Sequence, residues 1–219
     1  MRVDPRRPTS EVYDVIEVDE IAARFRRRAD AFDTTVAGVP PGRWADPSPC
    51  AEWTARDVVG HVVDMHQAVL RPVGRALSPA PSVGEDPLAA FRAARADVEA
   101  MLADHDVAER VVDTPMGRST AAAHVDGVVS QDMVLHRWDL ARATGQDDTI
   151  DPDEVARLWP EVSTMPEAMR TPGAFGPGIV VFGPQVLVPA DASLQDRLLG
   201  AIGRDPGFTP RSEGLRGHR

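Results

Sequence analysis

Asp132, His136 and Asp139 follow one another at offsets of four and three residues. In a helix those offsets stack side chains on successive turns of one face. Val125, Val128, Leu135 and Ala143 recur at the same spacing within a run from about 121 to 143, which marks that face as core-directed. An ionised carboxylate turned toward a core is costly unless something pairs with it. A shared divalent ion is one answer. The other is a core histidine held by hydrogen bonds, with an aspartate orienting its ring, and this stretch alone leaves both open.

The six histidines can be sorted by helix geometry. His124 precedes His136 by twelve residues, roughly 18 Å along a helix axis and too far to share an ion. His66 follows His61 by five and points about 140° away from it. His105 and His218 fall in a loop and a tail. His61, Asp132 and His136 remain, one from the second helix and two from the fourth. Two imidazoles and a carboxylate leave coordination positions open, as catalytic zinc sites do, and the same donors suit nickel or iron. Asp57 and Asp139 are candidates for orienting the histidines, or else a helix cap and a structural acceptor. Cys50 lies near a helix start, where a thiol can become acidic and nucleophilic; flanked by Pro49 and Trp53, it equally suits a packed thiol.

Four amphipathic helices must position these residues. Ile21, Phe25, Phe32 and Val36 mark the first, about 19–38, ended by Gly38 and the Pro40-Pro41-Gly42 cluster. Thr54 caps the second, with Asp57 three residues on, and Val58, Val62, Met65 and Val69 form its stripe. Asp86-Pro87 opens the third, about 87–104, and the fourth ends at Gly145. Segment 109–119 is a short hairpin or crossover. Asp151-Pro152 starts a fifth helix kept short or broken by Pro160 and Pro166. Residues 179–188 are expected to cover the bundle near the site, and Ser193–Ile202 forms a last short helix. The reading is all-α, a four-helix bundle with a short crossover and an irregular C-terminal extension. Its parts are an arm (1–18), the bundle (19–150), the extension (151–206) and a disordered tail (207–219).

The chain has 219 residues, 42% hydrophobic and 26% charged, with a net charge of -10. That acidic balance argues against nucleic acid or an anionic membrane as partner. Arg26, Arg27 and Arg28 form a basic run expected on a solvated helix face. One cysteine excludes an internal disulfide and fits a reducing cytoplasm. No run reaches the roughly 20 apolar residues of a membrane span, and the start lacks a signal-peptide pattern. The expected location is cytoplasmic.

Pro47-Ser-Pro-Cys50-Ala-Glu-Trp53-Thr-Ala-Arg-Asp57-Val-Val-Gly-His61 resembles the lead-in to the second helix of the DinB-like superfamily. It is most similar to the actinobacterial branch carrying the metal-binding domain of mycothiol-dependent maleylpyruvate isomerase. His136-Arg-Trp-Asp-Leu-Ala-Arg-Ala-Thr-Gly145 matches that branch's second signature. Gly173–Gly176 and Leu198–Pro206 resemble the end of its small single-domain members. The resemblance covers about 19–206 and implies an up-down-down-up bundle with a divalent ion at one end, its ligands falling on His61, Asp132 and His136. The isomerase relatives carry Glu where Asp132 stands and have a larger C-terminal domain, so their reaction does not transfer directly.

The implied function is a zinc or nickel protein, a mycothiol-dependent transferase or isomerase acting on a small electrophile. The alternative is a non-catalytic stress or binding protein whose metal staples the bundle. Expected partners are a small thiol or electrophile, with a homodimer left open.

Overall fold

The computed structural model describes residues 17–115, 117–166, 170 and 182–210; most of the expected arm and tail lie outside them. The fold is all-α and DinB-like. Its long helices are α1 (Val18–Ala37), α2 (Ala55–Leu70), α3 (Pro87–Leu102) and a fourth run made of α5 (Ala121–Val125), a π-helical turn (Asp126–Ser130) and α6 (Gln131–Thr144). Helices α1 and α2 each pack against α3 and α6, closing a bundle around Phe25, Phe32, Val62, Phe91 and Val98, all buried. Between α3 and α5, a short α4 (His105–Ala108) leads into a hairpin of β1 (Val111–Thr114) and β2 (Gly117–Thr120), paired antiparallel with Val111 opposite Thr120. Among the described residues, no helix is long and apolar enough to cross a membrane.

Local chemistry accounts for where the site-bearing helix α2 begins. The Thr54 hydroxyl accepts from the Asp57 backbone N–H, and the Asp57 carboxylate accepts from the Thr54 N–H at 2.8 Å. This reciprocal cap is worth about 1 kcal/mol and fixes the start of α2 two turns before His61. Asp86 caps α3 one way, its carboxylate accepting from the Ala89 N–H, with Pro87 at the first helical position.

The fourth helix departs from the expected uniform run. The π turn accommodates one extra residue; Val129 is fully buried in the core, and Val128, expected there, packs against it only partly buried. Two arginines of α1 meet this segment. Arg24 forks onto Asp126 at 2.8 and 2.9 Å; Arg28 donates to the Ser130 hydroxyl at 2.9 Å and to Glu154. Arg28 is therefore buried, unlike Arg26 and Arg27, because a carboxylate and a hydroxyl of later helices satisfy it. Only part of the expected basic face is solvated.

A second core lies on the other side of α6. Val134, Leu135 and Trp138 pack against Val155, Leu158, Leu198 and Leu199 of α7 (Pro152–Ser163) and α8 (Leu194–Ala201). Leu135, expected in the bundle core, belongs here. By helical periodicity Asp132, His136 and Asp139 fall about 60–120° from Met133 of the bundle core and short of Leu135, in the seam between the two cores. Of the expected covering segment, 182–188 lie within the described residues. They pair with α8 through Gly183 N–H to Ile202 O and Val186 N–H to Gly200 O. Gly203, at φ 84°, packs so closely on Gly183 that a Cβ would sit 2.7 Å from its backbone.

Candidate metal centre

α2 and α6 bring His61, Asp132 and His136 together. One potential ligand atom from each lies within 4.8 Å of the other two. His61 Nε2 is 3.0 Å from Asp132 Oδ2, and His136 Nε2 is 3.3 Å from Asp132 Oδ1. The imidazole rings stand edge to face, 4.8 Å apart. Asp132 Oδ2 is sealed from solvent yet accepts no hydrogen bond, since the His61 approach is misaligned. A buried carboxylate oxygen without a donor is costly, and a cation is what its chemistry calls for. Among the described residues the other histidines lie outside this group, as their spacing predicts: His66 is fully buried against Phe25 and Phe91.

The electrostatics of the group are those of a tight acid–imidazole cluster. Burial pushes the Asp132 carboxyl up, but the charge of His136 and its contacts with both imidazoles reverse this and hold it well below the usual range. Burial likewise opposes protonation of His136; the Asp132 charge, with hydrogen bonds to Asp132, Asp139 and Cys50, raises it well above an ordinary histidine. In the absence of an ion the two form a charged pair, and any divalent ion must displace that proton.

Behind His136 lies a second group. Its Nδ1 is 2.9 Å from Asp139 Oδ2, which also accepts from the Cys50 thiol at 3.1 Å. Arg204 donates through Nε to Asp139 Oδ1 at 2.9 Å and through Nη2 to Oδ2 at 3.1 Å and to Cys50 Sγ at 3.0 Å. Burial would raise the Asp139 carboxyl, but Arg204 foremost, then His136, bring it down to about 2. Asp139 thus orients the imidazole, as expected of it. Asp57 does not: it is an exposed member of the α2 cap and touches neither histidine. Cys50 is not an activated nucleophile, because burial and then the Asp139 charge raise its thiol, outweighing His136 and Arg204.

The loop before α2 closes the site from one side. A Pro47–Thr54 bridge and the Ser48 N–H to Trp53 O bond fold it back on itself. Glu52 takes φ 67° there, a left-handed conformation that costs a non-glycine residue about 1 kcal/mol or more. The turn delivers Cys50 inward and lays Trp53 against both imidazoles, its ring 4.8 Å from His61 and 5.7 Å from His136. Beside His61 a cleft of about 560 Å³ opens, lined by Trp53, Asp57, Gly60 and Asp64. Arg56, which donates to Val83 O and Gly84 O, holds the facing loop in place.

Sequence spacing brought out His61, Asp132, His136 and Asp139. It missed Trp53 as a wall of the site, although its place between Cys50 and the Thr54 cap was visible. It missed Arg204 entirely, for nothing in a Gly-Arg-Asp-Pro turn announces a partner 65 residues earlier.

The family model described as mycothiol maleylpyruvate isomerase N-terminal domain matches residues 25–141. Two uncharacterised proteins of Mycobacterium tuberculosis are similar over 179 residues. One, from strain CDC 1551 / Oshkosh, is 30% identical, the alignment covering 82% of this chain and 94% of the relative. The other, from strain ATCC 25618 / H37Rv, gives the same figures. No solved structure gives a significant match. The matched span runs from Phe25 in α1 to Ala141 in α6 and so takes in His61, Asp132 and His136 on their two helices. With more than half of its length matched, this chain belongs to the mycothiol maleylpyruvate isomerase N-terminal domain family.

Proposed function

We infer that the protein binds one divalent ion, zinc or nickel, through His61, Asp132 and His136, and uses it on a low-molecular-weight thiol. The thiol is mycothiol and the reaction a transferase or isomerase step on a small electrophile. The observation that carries this reading is Asp132 Oδ2, a buried anionic oxygen that accepts no aligned hydrogen bond, set between two imidazoles within 4.8 Å. Family membership supports it. Asp132 in place of a glutamate shortens the carboxylate arm by one methylene, and the 3.0 and 3.3 Å separations from the imidazoles indicate that the shorter arm still reaches.

A divalent ion in this set would favour thiolate over thiol at neutral pH. The remaining work falls to the chain. Asp139 accepts the His136 Nδ1–H, which leaves the Nε2 lone pair directed outward. Trp53 covers both imidazoles and keeps water from that side. The cleft beside His61 admits the reactants, and Gly60 presents no side chain to narrow it. Asp139 is sealed and engaged by Arg204, so it takes no proton from a reactant; Glu52, Asp57 and Asp64 are the carboxylates that line the cleft.

Purified protein analysed for metal after tag removal, then assayed for consumption of mycothiol with a panel of electrophiles, tests the reading. Stoichiometric metal lost in His61→Ala, together with metal-dependent thiol consumption, is the expected result. Stoichiometric metal without thiol chemistry would favour a binding protein whose ion is structural. Protein that takes up no divalent ion would refute the reading outright.

A further inference from the structure

His136 stands between two sets of donor atoms. Through Nε2 it meets Asp132 and, beyond it, His61. Through Nδ1 it meets Asp139 and Cys50. The inner three, Cys50, His136 and Asp139, are all buried and close enough to share an ion, their ligand atoms within 4.8 Å of one another. On donor chemistry a thiolate-containing set outcompetes one of nitrogen and oxygen for a soft divalent ion. The inner set already has a cation: the Arg204 guanidinium contacts Cys50 Sγ and both Asp139 oxygens at 2.9–3.1 Å. Arginine stays charged at any working pH and cannot be displaced by deprotonation.

We propose that Arg204 is the resident cation of the Cys50–His136–Asp139 set, closing it to metal and reserving His136 for the outer set. This makes it a specificity-determining residue contributed by the C-terminal segment, beyond the 25–141 family match. The proposal rests on reading His61, Asp132 and His136 as the ion-binding set. A neutral imidazole has one lone pair, so it serves one set at a time. With Arg204 neutralising Asp139, the carboxylate remains an acceptor for Nδ1–H, and Nε2 is the nitrogen left for an ion. Remove the guanidinium, and a soft ion can enter behind the ring: the Cys50 thiol proton goes to solvent, sulfur bonds the ion, and the ring proton shifts from Nδ1 to Nε2. The outer set then loses His136.

Cadmium is the probe, because sulfur-to-cadmium charge transfer absorbs in the ultraviolet whereas nitrogen and oxygen ligation does not. Wild type should bind about one ion without that band. Arg204→Gln should show the band, and adding Cys50→Ser should abolish it. Arg142→Ala serves as the control: Arg142 donates to the Pro206 and Phe208 carbonyls, so its loss loosens the same segment while keeping the guanidinium of Arg204, and no band should appear. A band in wild type, none in folded Arg204→Gln, or an equal band in Arg142→Ala overturns the proposal. If Arg204→Gln does not fold, wild type in excess cadmium decides alone: a silent spectrum with a full free-thiol titre supports the proposal, and a band sinks it. The reading it rests on fails separately, as wild type whose cadmium uptake is unaffected by His61→Ala.

Discussion

His66→Phe isolates one buried group whose contribution to stability has a definite pH signature. His66 is fully buried on α2, donates from Nδ1 to Val62 O at 2.7 Å, and leaves Nε2 without a partner between Phe25 and Phe91. Burial holds its imidazole down to about 4, against 6.5 for an ordinary histidine. The unfolded chain therefore takes up a proton first as pH falls. The neutral ring's contribution is whole above 6.5 and is lost as pH drops toward 4, amounting to ~3 kcal/mol in all and ~2 kcal/mol by pH 5. Phenylalanine keeps an aromatic ring, is somewhat larger and cannot titrate, so its packing cost should shift stability by a constant while the pH-dependent loss is deleted. Urea unfolding of both proteins at pH 8 and pH 5, with chelator to exclude ion uptake, measures the difference. If the gap between them changes by less than ~0.5 kcal/mol across that range, His66 is not held neutral by burial and the account of the α2 core is wrong.

His136→Ala should abolish stoichiometric metal while His124→Ala retains it, read by elemental analysis. Asp132→Asn keeps an oxygen but loses the charge, so affinity should fall, and the chelated protein, losing its charged pair with His136, should melt lower while still folding. Because the ion-free His136 carries a proton raised by Asp132, zinc uptake near pH 7 should release about one proton per ion, measured with an indicator dye in weak buffer; none released would contradict the charged pair. Gly203→Ala forces an alanine into φ 84° with its Cβ 2.7 Å from Gly183, and should destabilise by at least ~1–2 kcal/mol and expose segment 183–188 to proteolysis.

What could be seen in the sequence was whatever is encoded within one or two helical turns. The Thr54–Asp57 and Asp86 caps are local chemistry, and both helix starts follow from them. Asp132, His136 and Asp139 share a face by spacing alone. The face itself was harder to place: Leu135 looked like bundle core because an apolar side chain does not say which of two cores it enters. The π turn had no signature in the sequence, and neither did the contacts by which Arg24 and Arg28 of α1 meet it at Asp126 and Ser130. Arg28 in turn read as solvated because its partners Ser130 and Glu154 lie a hundred positions or more away. Arg204 failed to stand out for the same reason, and with it went the distinction between the two donor sets of His136.

The π turn at 126–130 has a consequence for how such proteins can change. A π turn is what remains when a helix absorbs a one-residue insertion. Deleting one codon within it would return α5 and α6 to a single regular helix and rotate all that follows by about 100°. The bundle core upstream would keep its hydrophobic frame, while Asp132 and His136 would swing away from His61. Substitutions at this site tune or remove individual donors. A change of reading length by one residue redirects the entire polar face at once, and is the shortest mutational step from this bundle to one of the same fold with a differently aimed site.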